Sequence, residues 1–357
     1  MSVVITGTGS YVPGNITTNG AFDNHQFFDV DGTRLEDNNE VIIRKFKAIT
    51  GISERRYMNS ERVTSDIAAI AAKQAIEDAN IDPETLDYIV VAHNYGDVTH
   101  KHQQSDTVPS LASRVKHQLK IKNPRCVAYD ILFGCPGWVE ATIHCKAFMQ
   151  GGMAKKCLVI GAEALSRVVD QHDRDSMIYS DGAGAVILEL DQESNNPAQS
   201  GIIHHLSATY TLEEANFIYF GPSYNHDESG SRHYIKMHGR KIYEFAITRV
   251  PQAMKQCMDE AGQEIGALKK VFIHQANEKM DEAIIKRFYK LYNLSAPDGV
   301  MPLTINTLGN SSVATVPTLY DLVRRNQLDG HKVNSGDLVM FASVGAGMNV
   351  NAILYRV

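Results

Sequence analysis

The 357-residue chain has no long apolar run. The longest, such as Tyr88–Ala92 and Ala183–Leu188, fall far short of the ~20 residues a membrane helix needs. Nor is there an excess of positive charge. Against 41 Asp and Glu stand 35 Lys and Arg, a net charge of −6, which excludes a strongly basic nucleic-acid binder but leaves room for a local basic patch. The opening MSVVITGTGS has neither a positive n-region nor a cleavage site, so secretion is not expected and the chain reads as cytoplasmic. Its five cysteines (Cys126, Cys135, Cys145, Cys157, Cys257) form no CxxC pair. Odd in number, they read as reduced thiols, one of them free for chemistry. What remains is ordinary globular composition, 43% hydrophobic and 21% charged, which excludes disorder. Length suggests two units or one large α/β body.

Short β-branched runs alternate with amphipathic stretches. Met1–Thr6, Tyr88–Ala92, Lys156–Ile160, Ala185–Leu190, Lys270–His274, Asp337–Ser343 and Asn349–Val357 read as strands. Thr64–Asn80, Pro109–Leu119, Gly137–Gln150, Arg240–Ala261, Asn277–Leu291 and Val316–Gln327 read as helices. The alternation predicts an α/β protein with sheets covered on both faces. The polar stretch Asp191–Ser200 reads as a linker, which divides the chain into halves 1–190 and 201–357. These halves echo each other: KQAIEDANIDPETLDYIVV (73–91) aligns without a gap on KQCMDEAGQEIGALKKVFI (255–273), and SDGAGAVILEL on SVGAGMNVNAIL. Two echoes in the same order point to duplication.

Three residues stand out chemically. Cys135 lies where a strand-like segment, Val127–Leu132, runs through a Gly–Cys–Pro–Gly turn into a helix. A sulfur at a helix N-terminus is predicted to have a lowered thiol pKa and to act as a nucleophile. The plain alternative is a buried cysteine that packs as a small hydrophobe, which is how the other four are read. His274 follows the apolar Val271–Ile273 directly and points into the crevice at the sheet's C-terminal edge, while Asn277 reads as a helix N-cap. Asn310 sits in a Gly–Asn turn before a helix. The glycine-rich SDGAGA and SVGAGM read as turns, which serve tight packing or offer N–H groups to an oxyanion. GTGSYVPG is rejected as a nucleotide fingerprint because its third glycine is missing and Pro13 interrupts the helix. His100, His102, His204 and His205 lack metal-ligand spacing and read as loop residues, so no metal is expected.

On these motifs the sequence resembles the β-ketoacyl-acyl-carrier-protein synthase III family of the thiolase fold. The resemblance runs the whole chain through TGISERR (Thr50–Arg56), the Cys135 turn, HDRDSMIYSDGAGAVIL (His172–Leu188), MHGRKIYEFA (Met237–Ala246), HQAN (His274–Asn277), GNSSVATVP (Gly309–Pro317) and the closing SVGAGMNVNAILYRV. It implies a five-layer α-β-α-β-α fold of two pseudo-symmetric halves. It implies Cys135 as the acylated nucleophile, His274 and Asn310 as its partners, and an oxyanion hole from the backbone N–H groups of Cys135 and Ala346. It implies decarboxylative Claisen condensation with a malonyl carrier protein, with no metal or redox cofactor, in a homodimer that starts fatty acid or related acyl chains. Lys279, Lys286 and Arg287, at i, i+7 and i+8, match the family's carrier-docking helix, although Glu278, Asp281 and Glu282 dilute the charge. Arg174 matches an arginine at the coenzyme A entrance.

The sequence departs from the family in four places. The tryptophan that stacks on coenzyme A before TGI is absent, and Asp23–Asn39 is extra material. Ala346 replaces the middle of three glycines, and Pro136 an alanine. Primers carried on an acyl carrier protein, or larger ones, therefore stay open beside acyl-coenzyme A. So do related enzymes that join two acyl chains into resorcinols, cyclohexanediones or esters. A cysteine hydrolase, with its Cys–His–Asn order, would carry a CG[SA]C[WY] signature that is absent here. A non-catalytic synthase partner would usually have lost Cys135.

Overall fold

The computed structural model describes residues 2–101, 104–191, 200–228, 230 and 232–357. In chain order its first strands are β1 (Ser2–Tyr11), β2 (Asn15–Thr18), β3 (Glu54–Tyr57), β4 (Tyr88–Ala92), β5 (Asp97–Val98), β6 (Ser105–Asp106), β7 (Val127–Ile131), β8 (Lys156–Ala164) and β9 (Asp181–Asp191). There follow β10 (Gly201–Thr209), β11 (Ile218–Gly221), β12 (Tyr234–Met237), β13 (Leu268–Ile273), β14 (Leu338–Gly345) and β15 (Asn349–Arg356). The α-helices are α1 (Asn39–Thr50), α2 (Thr64–Ala79), α3 (Leu111–Gln118), α4 (Gly137–Gln150), α5 (Gly239–Glu260), α6 (Glu278–Lys290), α7 (Ile305–Leu308) and α8 (Thr315–Arg324).

Two sheets carry the fold, with orders β1-β9-β8-β4-β7 and β10-β15-β14-β13. Strand for strand they correspond. In each, one parallel pair (β4 with β8, β13 with β14) is followed by two antiparallel ones. Where the first sheet adds β7, the second has no further strand among the described residues, and there the Val271 N–H donates to Val300 O at 2.8 Å. Apolar clusters define the layers. The buried faces of α2 and α3 cover the outside of the first sheet. Those of α5 and α6 cover the second. Between the sheets lie α4 and α8, with Trp138, Val316 and Tyr320 against Phe272 and Phe341. This is the expected five-layer α-β-α-β-α arrangement. No helix among the described residues is long and apolar enough to cross a membrane.

Glycines set the layer spacing. A Cβ on Gly7 or Gly9 of β1 would fall 2.3 Å from Ala75 O or 2.4 Å from Ala71 O, so α2 seats its alanine face directly on the strand. GTGSYVPG is thus a packing device. SDGAGA is not a turn, as the sequence suggested, but the start of β9. There Gly184 lets α8 approach, since its Cβ would stand 2.7 Å from Thr318 N. Only SVGAGM turns, at the end of β14.

Other expectations change as well. His204 and His205 lie in β10 rather than in a loop, and His102 and most of the expected linker (192–199) lie outside the described residues. Helix α1 was not anticipated. Asn38 caps it by accepting the Val41 N–H at 2.9 Å, and Gly51 ends it at φ 76°. The extra segment before it folds onto it: its Phe27, with Phe22 just ahead of the segment, joins Ile42, Phe46 and Ile52 in a small core.

Candidate active site

Cys135 lies between β7 and α4, as the strand–turn–helix pattern predicts. Gly134 holds the turn with φ +67°, and the Gly137 N–H donates to its carbonyl at 3.0 Å. The turn at 134–136 presses against the turn after β14. A Cβ on Gly134 would lie 2.7 Å from Ala346 N, and one on Gly345 would lie 2.5 Å from Cys135 N. Two glycines therefore bring the backbone nitrogens of Cys135 and Ala346 to one place. Cys135 is half-buried, whereas Cys126, Cys145, Cys157 and Cys257 are buried.

His274 follows β13, with its N–H donating to Ala342 O at 2.9 Å. Asn310 is tied to the other half: its N–H donates to Ile178 O at 3.0 Å and its carbonyl accepts from Ser180 N–H at 2.8 Å. Asn310 Oδ1 accepts the Ser312 N–H at 2.8 Å. Cys135, His274, Asn310 and Ala346 all line one cavity. The rest of its wall is mostly apolar, with Leu165, Ile218, Ile235, Ile242, Val344 and Met348. A thiol, an imidazole and a carboxamide thus share a cavity with mostly apolar walls.

The electrostatics differ from the sequence expectation. Cys135 is not lowered. Burial pushes its thiol up to about 11, against a Ser312 hydrogen bond that pulls it down, and the Glu163 carboxyl adds to the rise. Desolvation of the charged sulfur outweighs the helix N-terminus, because no cation sits beside it to pair with a thiolate. Burial likewise lowers His274 to about 4, opposed only by the backbone of Ser312, and its buried Nδ1 has no hydrogen-bond partner among the described residues. The ring is therefore neutral at physiological pH. Between its ordinary 6.5 and about 4 the unfolded chain takes up a proton that the folded chain refuses, so this group costs stability as pH falls through that window. Magnetic resonance titration of the His274 ring should show no shift between pH 8 and 5, and a midpoint near 6.5 would contradict the neutral ring.

A groove opens next to the cavity, and Asn310, Met237, Ala276 and Met280 line both. Arg174 and Asn277 stand in it beside Lys45 and Arg240. Leu35, Glu36 and Asp37 of the extra segment form part of its wall. Asn277 also caps α6 by accepting the Met280 N–H at 3.1 Å. Lys279, Lys286 and Arg287 are exposed on α6, outside both spaces. Arg287 donates to Ile247 O at 3.1 Å, which makes it partly a clamp between α6 and α5.

Sequence reasoning missed Ser312, Asn94 and Glu163, which the fold gathers behind the sulfur. The signal available was Glu163 itself, a carboxylate inside the apolar run CLVIGAEAL. Among the described residues no cluster of His, Cys, Asp and Glu could hold a metal ion.

Comparison with known proteins agrees with this architecture. Residues 129–204 match the family model of 3-oxoacyl-[acyl-carrier-protein] synthase III, and residues 258–357 match its C-terminal model. The β-ketoacyl-[acyl-carrier-protein] synthase III of Aquifex aeolicus (strain VF5) is 32% identical, the match covering 100% of both chains. That of Erythrobacter litoralis (strain HTCC2594) is 31% identical over 99% of this chain and 98% of the relative. The crystal structure of the synthase III from Aquifex aeolicus VF5 superposes with a TM-score of 0.80 at 28% identity, covering 99% of this chain and 100% of that one. With identity at this level sustained from end to end over the same layers, the chain belongs to the β-ketoacyl-acyl-carrier-protein synthase III family.

Proposed function

We propose that the protein is an acyltransferase that condenses an acyl thioester with a malonyl carrier protein, initiating fatty acid or related acyl chains. The observation that carries this reading is the single half-buried thiol sharing an apolar cavity with His274 and Asn310. Cys135 Sγ attacks the donor thioester, the S–acyl bond forms on the enzyme, and the thiol proton leaves with the departing thiol. A malonyl thioester then loses carbon dioxide. The negative charge that develops on its carbonyl oxygen is met by a neutral imidazole N–H of His274 and the Asn310 amide nitrogen, which no protein acceptor takes among the described residues. The enolate carbon attacks the acyl carbonyl, whose oxygen faces the N–H groups of Cys135 and Ala346. The carbon–carbon bond forms, the Cys135 C–S bond breaks, and the thiolate is reprotonated. Every step uses groups of the chain itself, with no redox or metal cofactor in the scheme.

Lys279, Lys286 and Arg287 offer the docking surface for an acidic carrier, and the groove holding Arg174 and Asn277 would take its phosphopantetheine arm or coenzyme A. The acidic residues of α6 weaken this surface less than their number suggests. Asp281 is fully buried, and burial beside Glu278 and Glu282 holds its carboxyl well above the usual range. Glu278 is tucked against Gly51 at the end of α1. We also assign halves 1–190 and 201–357 as the two duplicated units. Edge strand β7, with Val127 and Leu132 exposed, is the surface on which a second copy would pair.

The test is intact-mass analysis after a panel of acyl-coenzyme A and acyl-carrier donors is offered. One acyl adduct should form and should discharge on adding malonyl carrier protein, with release of carbon dioxide and a β-ketoacyl product. An enzyme that takes up no acyl group from any donor, or holds one that malonyl carrier never discharges, would overturn the reading. His274→Ala and Asn310→Ala should each lower malonyl decarboxylation by at least about tenfold.

A further inference from the structure

Among the described residues the sulfur of Cys135 has one side-chain hydrogen-bond donor, and that donor's direction is fixed from behind. Ser312 Oγ lies 3.2 Å from Cys135 Sγ. The same Oγ accepts from Asn94 Nδ2 at 3.1 Å. Asn94 Nδ2 also donates to Glu163 Oε2 at 2.6 Å, and the Asn94 backbone N–H reaches that oxygen at 3.0 Å. An amide nitrogen carries two hydrogens, so both of Asn94's are engaged, one on each side. A hydroxyl carries one. With its oxygen already accepting from Asn94, Ser312 has its proton left for the sulfur. Glu163 Oε2 already accepts the Asn94 backbone N–H, so it is the Nδ2 rather than the carbonyl oxygen of Asn94 that turns to it, and the Glu163 end sets the polarity of the chain.

Two features say that this arrangement is held against a cost. Glu163 is 1% exposed, and its Oε1 is buried with no hydrogen-bond partner among the described residues. A buried carboxyl of this kind opposes folding unless something else requires it. Ser312 sits at φ +53°, a left-handed conformation unusual for a residue with a side chain. In that conformation one residue touches two members of the constellation: its N–H donates to Asn310 Oδ1 and its hydroxyl to Cys135.

We propose that Ser312 is a further catalytic residue, whose hydroxyl stabilises the Cys135 thiolate as the thiol proton leaves and as the sulfur is expelled in the condensation step. Asn94 and Glu163 are the positioning residues that keep the hydroxyl aimed. The hydroxyl does here, with one directed dipole, what a neighbouring cation does for other reactive cysteines. The inference rests on Cys135 as the nucleophile, and the following experiment does not depend on any acyl donor.

The pH dependence of Cys135 alkylation by iodoacetamide, followed by peptide mass spectrometry, reads the thiolate directly. Ser312→Ala should move the midpoint up by about one pH unit and slow alkylation about tenfold below it. Ser312→Gly should do the same. It relieves the left-handed backbone, so a purely structural role would separate the two variants. Asn94→Ala should shift the midpoint the same way by a smaller amount. Unchanged midpoints in both serine variants would overturn the proposal, and a shift in them without one in Asn94→Ala would overturn the anchored relay. If the midpoints shift but wild-type protein accepts no acyl donor, the hydrogen-bond assignment stands and the proposed acyl transfer falls.

Discussion

Cys135→Ala should leave the chain at its unmodified mass after exposure to every acyl donor that labels the wild type once, with condensation abolished. No other sulfur can take its place. Cys126, Cys145, Cys157 and Cys257 are at most 1% exposed and lie within the apolar layers. Unlike Cys135, none of the four lines the cavity, so none can be reached by an acyl donor. Ser312 lies beside the vacated position, but its hydroxyl lacks a base that could activate it. Malonyl decarboxylation should survive the substitution in part, because His274 and Asn310 remain to meet the enolate charge. Normal acylation of the variant, read by intact mass, would remove Cys135 from the chemistry altogether. Loss of both acylation and decarboxylation, with the fold intact by circular dichroism, would instead show that the sulfur shapes the malonyl site.

A thiol near 11 beside a neutral imidazole means that the resting site holds no thiolate–imidazolium pair. At pH 7 a thiol of that pKa is ionised in roughly one molecule in ten thousand. Nucleophilicity must therefore arise as the donor binds and the proton moves on. This suits the proposed condensation, in which a permanent positive charge on His274 would protonate the enolate that a neutral ring would stabilise. Low polarity thus serves both half-reactions. It raises the thiol and lowers the ring, and it strengthens each directed hydrogen bond that the reaction then uses.

Much of this was legible in the sequence, because it depends on local pattern. The Gly–Cys–Pro–Gly turn between a strand and a helix, the histidine after an apolar strand and the repeat of helix, turn and strand all follow from short-range rules. What could not be read depends on which loops meet. GNSSVATVP presents two serines in a row, and only tertiary placement makes Ser312 the one that faces sulfur. SDGAGA and SVGAGM have the same appearance, yet one is strand and the other turn, because α8 lies across the first and the Cys135 turn abuts the second. The sign of the Cys135 shift was misjudged for the same reason. The helix N-terminus is visible in sequence, whereas the depth of burial that outweighs it is set by remote residues. Hairpin β11–β12, with four residues in each strand, is too short to carry a period.

That hairpin supplies Ile218, Ile235 and Met237 to the cavity wall, and what fixes it is a buried charge. Lys236 alternates with Ile235 and Met237 and so faces away from the cavity. Its Nζ donates to Asp170 Oδ2 at 2.5 Å and Asp173 Oδ2 at 3.1 Å, and lies 3.3 Å from the Tyr224 ring centroid. Its side chain is 0% exposed. Burial works against charge on Asp170, but the Lys236 bond and the Tyr224 and His172 N–H groups outweigh it and lower its pKa, whereas at Asp173 burial prevails and raises it. Lys236→Met should destabilise the protein by about 3–5 kcal/mol, because removing one partner leaves buried carboxylates uncompensated. Urea unfolding at pH 7.5 would read this, and Asp170→Asn/Asp173→Asn/Lys236→Met should recover more than half of the loss, since an uncharged cluster of similar volume carries no such cost. The sign of the pH dependence follows. Without the lysine both carboxyls favour the protonated form in the folded state, their pKa values rise above the unfolded ~4, and the deficit grows as pH rises from there. The gap between wild type and Lys236→Met should therefore narrow towards pH 5 and widen towards pH 8. A gap independent of pH would mean that the side chain acts through packing rather than charge.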